Sequence, residues 1–224
     1  MSKVVLFGAG KIADVAYFQL TNDSPHEVVA FTVDGEHIVQ KEKWGLPVVA
    51  FEDVLNIYPP DKFKMLVAVG YQELNHFRAR KYEEAKSKGY ELISYISSRA
   101  SNFSNVEIGD NCMILENAVL QPCTIVGNDV FFWNGNHLGH HARVEDHCYV
   151  AGQVVISGSA VIEPYCFLGV NATIGHEVVV GRESFIGASA LVTKSVLPKS
   201  VHIVPDTPKF RLDSDSFQKL TKMK

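Results

Sequence analysis

Four histidines, His137, His140, His141 and His147, fall within eleven residues of a chain of 224. A neutral imidazole titrates near pH ~6.5 and can take the proton of an amine or hydroxyl as that group attacks a carbonyl. A histidine cluster can also hold zinc, but no acid or cysteine of fitting geometry accompanies this one. A second chemical signal lies near the start, where Gly8-x-Gly10-x-x-Ala13 follows the apolar run Val4–Phe7 and Asp34 stands further on. Glycines there let the backbone approach a phosphate, the following helix N-terminus attracts it, and the acid can hold a ribose hydroxyl. Lys11, next to Gly10, and Gly70, at the end of the apolar run Met65–Val69, complete the expected substrate-binding set. No serine or cysteine nucleophile sits in a recognisable motif, so direct attack is preferred to a covalent enzyme intermediate.

Two architectures must position these groups. Over the first hundred residues, Val4–Phe7, Val28–Val33, Met65–Val69 and Leu92–Ile96 read as strands. Ile12–Leu20, Glu52–Tyr58 and Glu73–Lys88 read as helices, the last closed by Gly89. Alternating strands and helices predict a small parallel sheet covered by helices. A hundred residues supply only one mononucleotide half, so one nucleotide portion of a ligand is expected and a plain NAD oxidoreductase is excluded.

Near residue 100 the composition changes. The next hundred residues carry only 4 basic and 9 acidic side chains, and they repeat with a period of six. Stepping by six from Ile108 to Val192 gives fifteen apolar positions without a miss. Four residues after each stands a small or β-branched side chain, with Asn136 the exception. Cys112, Cys148 and Cys166 fall on these small positions, which predicts core packing rather than reactivity. The four cysteines, with Cys123, have no CxxC spacing and suggest neither a zinc site nor a disulfide framework.

The period resembles that of the hexapeptide-repeat, left-handed parallel β-helix proteins, in which each eighteen-residue coil is a triangle of three short strands. Such stacking buries one continuous core. The expected fold class is α/β plus all-β. A small Rossmann-like parallel-sheet domain (1–98) precedes a left-handed parallel β-helix of about five coils (99–200) and a C-terminal tail (201–224). Counted in this frame, His140 and His141 take the third and fourth places of a hexad, at an outward-facing corner, and His176 is expected at the surface.

The combination is similar to the bacterial sugar acyltransferases typified by sialic acid O-acetyltransferases and bacillosamine-pathway N-acetyltransferases. The stretch from Gly139-His140-His141-Ala142-Arg143-Val144 to Cys166-Phe167-Leu168-Gly169 matches their pattern without a gap, and Val204–Lys209 resembles the proline-containing segment that ends their helices. The resemblance implies a homotrimer using acetyl-CoA, with a nucleotide-linked sugar on the N-terminal sheet. It implies that His140 is the catalytic base, with His141 where the family has an acid. Tyr149 stands where some members have a histidine. With Gly152, Val170 and Ala188, it is implied to line the CoA groove. The expected function is acetyl transfer to the amino group of a nucleotide-linked deoxy-aminosugar in bacterial glycan biosynthesis, such as that of O-antigen lipopolysaccharide, capsule or glycoprotein. Alternatives are O-acetylation of a sugar hydroxyl, a non-catalytic scaffold, or a γ-carbonic-anhydrase-like metal protein.

The 21 basic and 25 acidic residues leave a net charge of −4, which disfavours nucleic-acid and membrane-surface partners. No apolar stretch approaches the ~20 residues of a membrane span. The start shows no signal-peptide pattern, so a cytoplasmic protein is expected.

Overall fold

Five short strands of the N-terminal region form one sheet in the order β3-β4-β2-β1-β5. A computed structural model describes residues 1–103 and 105–222. The strands are β1 (Lys3–Phe7), β2 (Glu27–Val33), β3 (Glu42–Lys43), β4 (Leu46–Ala50) and β5 (Phe63–Val67). All pairings are parallel except β3 with β4. Because β1 has β2 on one side and β5 on the other, the strand order reverses at its carboxyl end, where open α/β sheets bind ligands. Helix α1 (Lys11–Asp23) buries Ala13, Ala16 and Leu20 against one side of the sheet. Helices α2 (Val54–Ile57) and α3 (His76–Ser87) cover the other, where Val54, Tyr82 and Ala85 pack on Val5 and Met65.

Two sequence expectations change here. Strand β4 is not among the expected strands, because its apolar run is short and interrupted by Pro47. Helix α3 begins three residues later than its amphipathic pattern, because Glu73, Leu74 and Asn75 all have positive φ (52°, 51° and 70°). Three consecutive left-handed L-residues cost about 1–2 kcal/mol each, so the surroundings must hold them.

The remaining chain stacks two-residue strands into three parallel sheets of seven, six and five strands, neighbouring strands lying eighteen residues apart except the last pair, where Phe185–Ile186 meets Val201–His202 after sixteen. The stack runs from Tyr95–Ile96 to Val201–His202 and exceeds the expected five coils by about one. Its first coil escapes the sequence pattern because Asn102 breaks the apolar stepping. The backbone ladder is nevertheless intact, with Ser101 N–H donating to Ala118 O at 2.8 Å. Leu92 still bridges Met65 of the N-terminal sheet, so the expected strand Leu92–Ile96 is divided between the two architectures.

Inside the triangle, the apolar and small positions from Cys112 to Val192 make one continuous buried cluster, each fully buried aliphatic side chain contributing roughly 1.5–3 kcal/mol. Asn136 fits because its Nδ2 donates to Trp133 O at 2.7 Å and its Oδ1 accepts from Val154 N at 2.7 Å. Every sixth residue from Asn111 to Ser189, including His141, His147 and Gly135, has positive φ and turns a corner.

The face carrying Tyr95–Ile96 lies under the N-terminal region. Its outward side chains Met113, Phe131, Tyr149 and Phe167 join the cluster that contains α1. Arg78 locks this junction. It and Asp129 have no exposed side-chain surface. The guanidinium donates to Asp129 Oδ1 and O, Cys148 O, Gly70 O and Asn75 Oδ1 at 2.9–3.3 Å, five acceptors for its five N–H groups. His147 Nδ1 lies 2.9 Å from the other Asp129 oxygen.

Candidate active site

His140 and His141 share an exposed corner, their Nδ1 atoms 3.2 Å apart. Local backbone fixes both. His140 N–H donates to Gln121 Oε1 at 2.9 Å, and His141, at the left-handed corner (φ 61°), donates its N–H to Pro122 O at 3.2 Å. This separation is within hydrogen-bond reach, and the tautomer in which His140 Nδ1 donates leaves its Nε2 as the acceptor. The exposed His176 lies further along the same corner, its ring centroid 6.3 Å from that of His140. His137 is half-buried on the preceding strand, while His147 is buried in the Arg78–Asp129 junction. Among the described residues, no group of three or more His, Cys, Asp or Glu is arranged to hold a metal ion. Burial pushes the Cys112 thiol up to about 12 and that of Cys148 well above its ordinary value, which removes both as nucleophiles at neutral pH.

Tyr149, Gly152, Val170 and Ala188 line one groove of about 840 Å³ along a different corner of the solenoid. Its floor is apolar. Tyr149 stacks on Phe167 (centroids 5.6 Å, planes 11° apart), and Phe167 stacks on Phe185 (4.7 Å, 9°). Burial pushes the Tyr149 phenol up to about 12, so it is neutral at physiological pH. A groove of apolar floor and glycine-bearing edges suits an extended chain with few charges. Sequence reasoning missed Phe167 and Phe185, although an aromatic recurs every eighteen residues from Phe131 to Phe185. That recurrence on an outward position signals a covered or ligand-bearing face.

A second cavity, of about 680 Å³, opens at the carboxyl ends of β1 and β2. Gly8, Gly10 and Asp34 line it together with Gln72 and Glu73. Gly8 (φ 122°) has Ala68 O where a Cβ would sit, at 2.6 Å, so the fold itself requires glycine. Gly10 meets nothing within 4 Å and opens to the cavity. Asp34 forms an ion pair with Lys81 Nζ at 2.8 Å. Lys11 and Gly70 do not line the cavity. Lys11 is exposed at the start of α1, and Gly70 is buried behind the cavity wall with its carbonyl held by Arg78.

The structure brings Gly8, Gly10 and Asp34 to one depression and Tyr149, Gly152, Val170 and Ala188 to its neighbour, but does not bring His140 to either within one chain. Residues 105–137 and 159–194 match the model of the bacterial transferase hexapeptide (six repeats). These two stretches of the solenoid are similar to that hexapeptide repeat. Perosamine N-acetyltransferase from Caulobacter crescentus, as a histidine-to-asparagine variant with CoA and GDP-perosamine, superposes with a TM-score of 0.82 at 20% identity. That likeness covers 90% of this chain and 93% of the other. The acetyltransferase domain of PglB from Neisseria gonorrhoeae gives a TM-score of 0.61 at 22% identity, covering 89% and 94%. WeeI from Acinetobacter baumannii gives 0.57 at 20%, covering 90% and 96%. No curated protein matches the chain in sequence. The fold is therefore an N-terminal α/β region joined to a left-handed β-helix. No helix among the described residues is long and apolar enough to cross a membrane.

Proposed function

We propose that this chain transfers acetyl from acetyl-CoA to the amino group of a nucleotide-linked deoxy-aminosugar, as a homotrimer in the cytoplasm serving glycan biosynthesis. One observation carries the reading: an apolar groove lined by Tyr149, Gly152, Val170 and Ala188 adjoins a glycine-turn cavity at the sheet's switch point. The similar fold of an N-acetyltransferase bound to CoA and GDP-perosamine supports it.

In this mechanism the cavity around Gly8, Gly10 and Asp34 takes the nucleotide, and the groove takes the pantetheine arm. The sugar amine attacks the thioester carbonyl. His140 Nε2 accepts the amine proton, the C–S bond breaks, and CoA leaves as the thiol once it regains a proton. A neutral imidazole suits this exchange, and backbone N–H groups along the groove can stabilise the oxyanion. His140 occupies a different corner from the groove, which favours a seam where one subunit's base meets a neighbour's groove.

The test is a panel of nucleotide-linked amino and hydroxy sugars with acetyl-CoA, following release of free thiol. Release with amino sugars alone, by a trimer in sedimentation, is expected. Release with hydroxyl acceptors alone would make the enzyme an O-acetyltransferase. No release with any acceptor, or full activity in a stable monomer, would defeat the proposal.

A further inference from the structure

The proposed nucleotide cavity and CoA groove meet at a wall, the segment Tyr71–Gln72, whose two residues line different depressions. Tyr71 and Ile12 face the groove, while the next residue, Gln72, faces the cavity. Behind them, a Cβ on Gly70 would lie 3.3 Å from Gln72 Oε1 and 3.7 Å from Ile12 Cγ1. Any molecule reaching from the cavity to the groove must cross this wall.

The wall is held rigidly from behind. Immediately after it come the left-handed residues Glu73–Asn75. Asn75 Nδ2 donates to Tyr165 O and Cys166 O at 3.3 and 3.1 Å, and its Oδ1 accepts from Arg78. Glu73 is gripped by the Arg80 fork at 2.8 and 3.1 Å. In front, the side chains are free. Tyr71 is 51% exposed although its ring lies 5.0 Å from Tyr149 and 4.7 Å from Phe167. The exposed Gln72 amide makes no hydrogen bond among the described residues.

We propose that Tyr71 and Gln72 determine specificity for the sugar of the nucleotide-linked substrate, an inference that rests on the function above. The sugar lies between nucleotide and acetyl group, and so must cross the wall they form. The exposed face of the Tyr71 ring suits the apolar face of a deoxyhexose. The Gln72 amide offers a donor and an acceptor to a sugar hydroxyl. The hydrogen bonds of Asn75 and Glu73 fix the backbone beside them.

The experiment compares the affinity of free UDP or GDP with that of the same nucleotide linked to an amino-deoxyhexose, in wild type, Tyr71→Ala, Tyr71→Phe and Gln72→Ala. The wild type should bind the conjugate more tightly than the nucleotide. Tyr71→Ala and Gln72→Ala should each lose about tenfold of that gain and raise the conjugate's KM to match. Free-nucleotide affinity should stay within about twofold in Tyr71→Ala, which lies outside the cavity, and the KM for acetyl-CoA within about twofold in Gln72→Ala, which lies outside the groove. Tyr71→Phe should retain the gain, because the ring makes the contact. Variants that keep the full gain overturn the assignment, as does Tyr71→Ala weakening free nucleotide equally, Gln72→Ala weakening acetyl-CoA equally, or a wild type that gains nothing from the sugar. A wild type that gains from the sugar yet releases no thiol would defeat the acetyl-transfer reading, and the same affinities would still decide the assignment.

Discussion

The imidazole of His140 lies over the backbone of Gly158, one coil further along the solenoid. A Cβ on Gly158 would stand 2.8 Å from its Cε1, 2.9 Å from Nε2 and 3.2 Å from Nδ1. Glycine is what lets the ring lie there. Gly158→Ala should therefore displace the imidazole and lower kcat at least about tenfold. Tm should change little, because the ring is a movable side chain. His140→Asn should lower kcat by about 10²–10⁴-fold, with substrate KM values and assembly preserved. Steady-state kinetics beside thermal melts will check both, and normal kcat in His140→Asn would rule this base out.

His141 should tune rather than perform the proton transfer. His141→Ala is expected to cost less than His140→Asn. His141→Glu places a carboxylate beside the base, which favours the imidazolium and raises the base's pKa. Its kcat/KM profile should lose activity at a higher pH than wild type as the solution is acidified. A collapse of His141→Ala with an active His140→Asn would exchange the two roles.

The two glycines of the first turn should separate cleanly. Gly8→Ala must push a methyl into Ala68 O and should destabilise the fold, read as a lowered Tm. Gly10→Val meets no protein atom within 4 Å of the new Cβ. It should fold normally, bind acetyl-CoA normally and raise the KM for the nucleotide sugar. Equal damage to acetyl-CoA binding would misplace the nucleotide.

Arg78→Met should be among the most damaging substitutions, at about 3–5 kcal/mol in denaturant unfolding, because it removes the guanidinium paired with the buried Asp129 carboxylate and leaves that charge to Asn111 Nδ2 and His147 Nδ1. The paired change Arg78→Met with Asp129→Leu should recover part of that loss. A stability unchanged in Arg78→Met would show the pair to be idle.

Acid should loosen the same junction from its other end. Hydrogen bonds from Ser98, Tyr95 and Ser97 hold the Asp23 carboxyl well below the usual carboxylate range. A depressed folded-state pKa contributes stability above the unfolded value of 3.8, lost as pH falls below it. Asp23→Asn should flatten part of the stability-against-pH curve below about pH 4, measured by melts across that range.

The sequence displays the solenoid plainly because its core lies within the coil: Ile108 to Val192 step by six, and each inward side chain reports its own place. The N-terminal sheet is legible where runs are unbroken, as in Val4–Phe7, and fades at Leu46–Ala50, which Pro47 interrupts. What joins the two parts is written at long range. Arg78 and Asp129 are 51 residues apart, and neither has a local pattern that marks it as a partner. The left-handed turn at Glu73–Asn75 hides inside a good helical pattern, so the wall formed by Tyr71 and Gln72 is visible only in three dimensions. The glycine turn and the His140–His141 corner, by contrast, follow from local spacing.

The left-handed corner residues also act as a clock for the chain. Because the strands from Tyr95 to Val192 pair eighteen residues apart, an insertion or deletion taken up within those coils preserves phase only in whole coils. Losing six residues between Phe167 and His176 would leave every hexad apolar in the right places and the core still buried, yet it would rotate all later coils by one face. Phe185 would leave its stack on Phe167, and Ala188 would move off the groove's corner. Length variation in this solenoid is therefore quantised by its function more strictly than by its stability.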